Sequence, residues 1–210
     1  RPHSDFKVLF ARAAGPIAVD VLASREAGED GYFLLLASAG SLPAGTAAMP
    51  KDVAFVLDTS GSMADGKLEQ ARKALRYCLE TLNEGDRFEI IRFATDTEHL
   101  FGSLLPATAE NRDRARSFVD GLRAAGGTAM EDALGEALAL GGDGGDRTGS
   151  GAAARPYYVV FMTDGLPTVG ETREEPLVTM VKSGSRGARV FSFGIGTDVN
   201  AHLLDRIAGE

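Results

Sequence analysis

The chain has 210 residues, of which 44% are hydrophobic and 25% charged, a composition typical of a globular protein. Its formal net charge of -8 argues against a nucleic-acid partner, because phosphate binding requires a basic surface. No apolar run is long enough to span a bilayer, so we expect no membrane span in this fragment. The single cysteine, Cys78, lies on an apolar helix face, where we expect it to act as a small core residue.

Residues 1–50 are predicted to form a β-rich extension followed by a linker. Three short apolar runs are strand candidates: Asp5–Phe10, Ile17–Ala23 and Tyr32–Ala37. The polar, glycine-containing segment 25–31 separates the last two runs and predicts a hairpin connection. Residues 38–50 are rich in Ala, Gly, Ser and Pro, which is typical of a linker.

From Lys51 onward, apolar strand patterns alternate with helical ones. Strands are expected at Val53–Leu57, Arg87–Phe93, Tyr157–Thr163 and Arg189–Ile195, with a short edge strand at Glu98–Leu104. Helices are expected at Lys67–Leu82, Glu110–Leu122, Glu131–Leu140, Glu174–Ser183 and Ala201–Ile207. A low-complexity loop covers Gly141–Ala154. This alternation predicts an α/β fold with a doubly wound, mostly parallel sheet and helices on both faces.

Oxygen-bearing side chains follow two of the predicted strands and precede one helix. Asp58-Thr59-Ser60-Gly61-Ser62 comes directly after the first buried strand, and Asp164 follows a later one. Thr128 stands behind two glycines that permit a close backbone approach. Ligands of doubly wound sheets bind outside the carboxyl ends of the strands. Five side chains are therefore expected to converge there: Asp58, Ser60, Ser62, Thr128 and Asp164.

Two carboxylates and three hydroxyls around one point indicate a cation site, because the carboxylates would otherwise repel each other. Hard oxygen donors suit Mg²⁺, Mn²⁺ or Ca²⁺ better than zinc. The five side chains supply only part of an octahedral shell, so water and an external oxygen would complete it.

Each part of this pattern also has an ordinary structural interpretation. The Asp-x-Ser-x-Ser segment could cap the helix that begins at Lys67. Thr128 could cap the next helix, with Glu131 three residues on forming a capping box. Asp164-Gly165 could be a plain turn. The occurrence of all three at the same end of one predicted sheet favours a metal site.

Asp58-Thr59-Ser60-Gly61-Ser62, Thr128 and Thr163-Asp164-Gly165 resemble the metal-ion-dependent adhesion site (MIDAS) of von Willebrand factor A (VWA) domains. The resemblance covers residues 51–210 and implies a Rossmann-like fold that binds a divalent cation, most often Mg²⁺. It further implies that the hydroxyls bind the metal directly and that the carboxylates bind it directly or through water. An Asp or Glu of a protein partner would complete the shell.

A narrower resemblance, to the heavy chains of inter-alpha-trypsin inhibitor and their bacterial relatives, is carried by five segments: Glu29–Leu36, Pro50–Val53, Asp58–Met63, Lys67–Ala71 and Gly85–Phe88. In that group a VIT domain precedes the A domain. The resemblance implies that residues 1–50 join a missing VIT domain to an A domain at 51–210, which would end before the family's last strand. It favours a secreted, periplasmic or cell-surface protein, and the small-residue-rich loops favour a bacterial relative.

One departure from the family pattern and two alternatives bear on the function. After the second serine only Asp65 is acidic, so we do not expect the neighbouring regulatory ion of integrin-type sites. A Mg²⁺-dependent phosphatase of the haloacid dehalogenase type would need an Asp where Ser60 stands. No histidine occurs in the strand-end loops, so we expect a binding module and not an enzyme. A metal-free scaffold with the same fold remains the other alternative.

Overall fold

The structure, a computed structural model, describes residues 17–24, 31–39, 49–141 and 155–209. The strand expected at Asp5–Phe10, most of the linker and all but the first residue of the loop at 141–154 lie outside the described residues. The chain divides into two units, Arg1–Ala48 and Met49–Glu210.

In the first unit, β1 (Ile17–Ser24) and β2 (Tyr32–Ala39) form an antiparallel pair. Ser24 pairs with Tyr32, and residues 25–30 of the predicted hairpin connection lie outside the described residues. The large apolar side chains described on these strands are exposed: Val19, Val21, Leu22, Tyr32, Phe33, Leu34, Leu35 and Leu36. The main-chain ladder is therefore what joins the two strands.

The second unit contains six strands and five helices among its described residues. The strands are β3 (Asp52–Asp58), β4 (Arg87–Phe93), β5 (Thr97–His99), β6 (Leu105–Pro106), β7 (Tyr157–Thr163) and β8 (Arg189–Gly194). The helices are α1 (Lys67–Thr81), α2 (Ala109–Gly121), α3 (Met130–Leu140), α4 (Glu174–Gly184) and α5 (Ala201–Ala208). Within the described ranges no helix combines the length and the apolar character that a membrane crossing needs.

The strands form one sheet in the order β5-β4-β3-β7-β8, with β6 also paired to β4. The pairs β3–β4, β3–β7 and β7–β8 are parallel, whereas β5 and β6 run antiparallel to β4. Crossovers through helices produce this order, because parallel neighbours cannot be joined by a tight turn. The predicted doubly wound, mostly parallel α/β class is confirmed.

The sheet separates two apolar clusters. One face packs against α1 and α2 through Phe55, Leu57, Leu75, Leu79, Phe88, Ala115 and Val119. The other face packs against α3, α4 and α5 through Val56, Phe93, Met130, Leu134, Phe161, Val181, Leu203 and Ile207. Every residue of β3 is buried, since both of its faces are covered. Full burial of each large apolar side chain, such as Phe55, Val56 or Leu57, stabilises the fold by about 1.5–3 kcal/mol, so the end of β3 is firmly positioned.

The edge strand expected at Glu98–Leu104 is wrong in extent. The chain pairs with β4 at Thr97–His99 and again at Leu105–Pro106; between them, the amide of Leu100 still donates to Ile90 O at 2.9 Å, but no residue pair is formed. The reason is Glu89 of β4, whose carboxylate is fully buried and accepts hydrogen bonds from the amide of Phe101. Because this amide is used by a side chain, the intervening residues leave the ladder.

Cys78 is only half-buried, which corrects its expected place in the core. It lines a cavity of about 540 Å³ between α1 and β8, the last strand in the sheet order. Phe191 and Phe193 of β8 line the same cavity and are 47% and 52% exposed. The apolar stripe of α1 therefore extends past the part of the sheet that covers it.

Candidate metal site at the carboxyl ends of β3 and β7

Two buried carboxylates lie at the same edge of the sheet. Asp58 is the last residue of β3, and Asp164 follows the last residue of β7. These strands are parallel neighbours, with Leu57 paired to Met162. The carboxylates are 0% and 2% exposed, respectively. The parallel register therefore brings together two acidic groups that are far apart in sequence.

Asp58 is held by hydrogen bonds to both of its carboxylate oxygens. Oδ1 accepts the backbone amide of Ser60 at 2.7 Å, and Oδ2 accepts the hydroxyl of Thr163 at 2.5 Å. Burial raises the pKa of Asp58, and these hydrogen bonds offset part of that rise. The nearby charge of Asp164 raises this pKa as well. A cation beside Asp58 would favour its charged form.

The two serines connect the carboxylates. Ser60 Oγ lies 3.0 Å from Ser62 Oγ, and Ser62 Oγ donates to Asp164 Oδ1 at 2.7 Å. Four of the five predicted residues are thus linked in a hydrogen-bonded chain from Asp58 to Asp164, in which the backbone amide of Ser60 bonds Asp58 and its hydroxyl bonds Ser62. Ser62 is exposed, so this chain reaches the protein surface.

Thr128, the fifth predicted residue, is buried in the adjacent loop. Two backbone hydrogen bonds join that loop to the Asp-x-Ser-x-Ser segment: Gly61 N to Gly126 O at 3.0 Å and Ala125 N to Thr59 O at 2.9 Å. Gly126 has φ +84, a conformation that favours glycine. The structure therefore places the loop of Thr128 directly beside the serines.

The ordinary capping roles do not occur in the structure. Helix α1 begins after Gly66, and no side chain caps it. Helix α3 begins after Ala129, also without a side-chain cap, and Glu131 accepts the amide of Glu171 instead of forming a capping box. The side chains of Asp58, Ser60 and Ser62 are consequently not needed to begin a helix.

Lys67 belongs to this site, and the sequence interpretation missed it. Its Nζ donates to Asp164 Oδ2 at 2.7 Å, and this hydrogen bond raises the pKa of the ammonium group. Lys67 is the first residue of α1. A cation there is unfavourable for the helix, whose N-terminus carries partial positive charge. A lysine at the first position of a predicted helix was therefore the signal in the sequence that could have identified Lys67.

The donor set has the chemistry of a site for a hard divalent cation. It offers two carboxylates and three hydroxyls, all of them oxygen donors. In the part of the chain that the structure describes, no group of three His, Cys, Asp or Glu side chains is arranged so that it could hold a metal ion. His99 bonds Glu136 and His202 bonds Glu174, so neither contributes to the hydrogen-bonded chain. Asp58, Ser60, Ser62, Thr128 and Asp164 are the residues that could hold such a cation.

Comparison with known proteins agrees with this fold and motif. A profile of the family described as von Willebrand factor type A domain matches residues 51–210. The chain belongs to this family. It is 38% identical over 183 residues to inter-alpha-trypsin inhibitor heavy chain H4 from Homo sapiens. That alignment covers 86% of this chain and 19% of the human protein, so the chain spans about a fifth of this curated relative. The resemblance to the heavy chains is confirmed.

Solved structures share the VWA fold. The von Willebrand factor type A protein from Catenulispora acidiphila matches 93% of this chain and 44% of its own, with a TM-score of 0.68 and 22% identity. Proximal thread matrix protein 1 of the mussel byssus, solved with a zinc-occupied MIDAS motif, matches 76% of this chain and 41% of its own. Its TM-score is 0.60 at 17% identity. At these identities the likeness establishes the VWA fold alone.

Proposed function

We propose that this VWA domain is a divalent-cation-dependent protein-binding module of the adhesion type and not an enzyme. The side chains that would hold the cation are Asp58, Ser60, Ser62, Thr128 and Asp164. The observation that carries the proposal is the hydrogen-bonded chain that runs from Asp58 through Ser60 and Ser62 to Asp164. Two carboxylates and two hydroxyls lie along this chain, which reaches the surface at Ser62, and this supports a cation site there.

Mg²⁺ is the cation that this donor set favours, with Mn²⁺ or Ca²⁺ as alternatives. Mg²⁺ prefers an octahedral shell of oxygens and commonly keeps some of its water. The charges of Asp58 and Asp164 would balance a divalent cation. Five protein donors leave room in that shell for water or for one oxygen from outside.

The outside oxygen would come from an Asp or Glu of a protein partner. The chain itself has a net charge of -8, so an acidic partner would be repelled unless a cation bridged the two surfaces. Beside the site, Leu166 is 57% exposed, so an apolar side chain is available there for contact with a partner. A cation next to an exposed leucine would combine a charged anchor with an apolar one.

Isothermal titration of EDTA-stripped protein with Mg²⁺, Mn²⁺ and Zn²⁺ tests the site. We expect saturable binding that is lost in Asp164→Ala and in the double variant Ser60→Ala/Ser62→Ala. Asp164→Asn keeps the shape of the side chain and serves if the alanine variant unfolds. Asp205→Ala, which changes an exposed carboxylate of α5, is the matched control and should bind metal like the wild type. Unchanged binding in folded Asp164 variants would refute the assignment.

A metal-free interaction scaffold is the second candidate. One observation favours it: all four carboxylate oxygens already have a protein donor. Those of Asp58 accept from Ser60 and Thr163, and those of Asp164 accept from Ser62 and Lys67. Failure of the wild type to bind any of the three ions, alone or with an acetate or acidic-peptide probe, would support the scaffold.

A further inference from the structure

Among the described residues, the ion pair within this site joins Lys67 to Asp164. Lys67 Nζ lies 2.7 Å from Asp164 Oδ2, and the Asp164 side chain is 0% exposed against 28% for that of Lys67. The ammonium therefore neutralises a carboxylate that has no access to solvent. Since a buried, unpaired charge is strongly disfavoured, Lys67 supplies the counter-charge that this carboxylate would otherwise lack without a metal.

The helix does not explain why a lysine stands here. Lys67 occupies the first position of α1, where the helix dipole opposes a positive charge. Gly66 precedes it with φ +94 and provides no side-chain cap. A residue that conflicts with its local structure indicates a role elsewhere. Among the described residues, the hydrogen bond and ion pair of Lys67 are with Asp164.

The loop after β8 leaves room for the lysine stem. A Cβ built on Gly196 would lie 3.0 Å from Lys67 Cε and 3.4 Å from Nζ, and Gly196 has φ +105. Any side chain at this position would meet the lysine. The absence of a side chain at Gly196 thus permits Lys67 to reach Asp164 along the surface of this loop.

A divalent cation and the ammonium would compete for the same carboxylate. Asp164 has two oxygens, one bonded to Ser62 and the other to Lys67. Ser62 is itself among the proposed ligands, so the lysine is the partner that would have to leave. Its side chain is long and partly exposed, and the charges of Asp198 and Asp65 already act on it. The displaced ammonium would therefore remain among acidic groups.

We propose that Lys67 is a built-in counter-cation of the metal site, which holds Asp164 when no metal is bound and is displaced from it when a divalent cation binds. This inference rests on the proposed function. It makes metal affinity a balance between two cations. Removing the lysine charge would tighten metal binding and, at the same time, destabilise the metal-free domain.

The test is titration of EDTA-stripped Lys67→Met with Mg²⁺ and Mn²⁺. Methionine keeps an unbranched chain of similar length without the charge. We expect the dissociation constant to fall about tenfold or more, because metal binding no longer breaks a hydrogen bond between charged groups. Lys73→Met removes an exposed charge from the same helix and controls for the change in net charge. Lys67→Arg keeps the charge and should stay closer to the wild type.

Thermal denaturation in EDTA is a second readout that needs no metal. We expect the midpoint of Lys67→Met to fall by roughly 2–6 °C, since the Asp164 carboxylate loses its counter-charge. If the wild type bound metal and Lys67→Met bound it equally or more weakly, the displacement of Lys67 by the metal would be refuted, but the metal site itself would not. If neither protein bound metal, both the proposed function and the proposed competition between Lys67 and the metal would be refuted.

Discussion

The hydroxyl of Thr163 is predicted to be a principal support of the site. It donates to Asp58 Oδ2 at 2.5 Å and accepts the amide of Gly165 at 3.3 Å, and both Thr163 and Asp58 are fully buried. Thr163→Val replaces the hydroxyl by a methyl group of similar size. In the variant, Asp58 Oδ2 would face a methyl group. Because both residues are buried, solvent would not replace the lost donor.

The expected loss follows from the charge of the acceptor. A hydrogen bond to a charged group contributes about 1.5–3 kcal/mol, and the weaker bond from Gly165 is lost as well. We therefore expect the free energy of unfolding in EDTA to fall by about 2–3 kcal/mol. For a domain of this size the midpoint temperature should fall by about 4–12 °C. Thr163→Ser, which keeps the hydroxyl, should recover most of this loss.

Urea and thermal denaturation of EDTA-stripped protein, followed by circular dichroism, measure the effect. Thr81→Val is the matched control, because Thr81 is exposed and its hydroxyl bonds only the Cys78 carbonyl in its own helix. That control should change stability by no more than about 0.5 kcal/mol. If Thr163→Val were as stable as Thr81→Val, the hydrogen bond to Asp58 would not hold the site together.

Two other predictions concern the loop of the fifth site residue and a buried acid of β4. Gly126→Ala should destabilise the domain by about 2–3 kcal/mol and weaken Mg²⁺ binding, because a Cβ would lie 2.7 Å from Thr95 Oγ1. Gly102→Ala has a similar φ of +78 but open space, so in denaturation it should show the smaller cost of backbone strain alone. Burial raises the pKa of Glu89 in the folded protein. The wild type should therefore lose stability as the pH rises from the ordinary glutamate pKa of about 4.3 through this raised value, because the folded state must then carry a buried charge. The stability of Glu89→Gln relative to wild type, measured by urea denaturation, should increase across that interval, and a flat difference would contradict a buried charge.

The sequence alone was sufficient for the fold class and for the edge of the sheet at which Asp58 and Asp164 lie. Continuous apolar runs at Val53–Leu57 and Tyr157–Thr163 predict buried parallel strands, because only a sheet covered on both faces tolerates them. Once two such strands are neighbours, the residues that follow them must share one edge of the sheet. Asp58 and Asp164 could therefore be brought together from sequence order.

Only the tertiary structure decided which side chains meet there. The pair between Lys67 and Asp164 depends on the position of α1 relative to β7, which no local pattern encodes. The division of the expected edge strand depends on a hydrogen bond from Phe101 to Glu89, twelve residues apart. Half-burial of Cys78 depends on how far the sheet extends at β8. Periodicity reports which face of an element is apolar, whereas these contacts depend on what packs against that face, and packing involves residues distant in sequence.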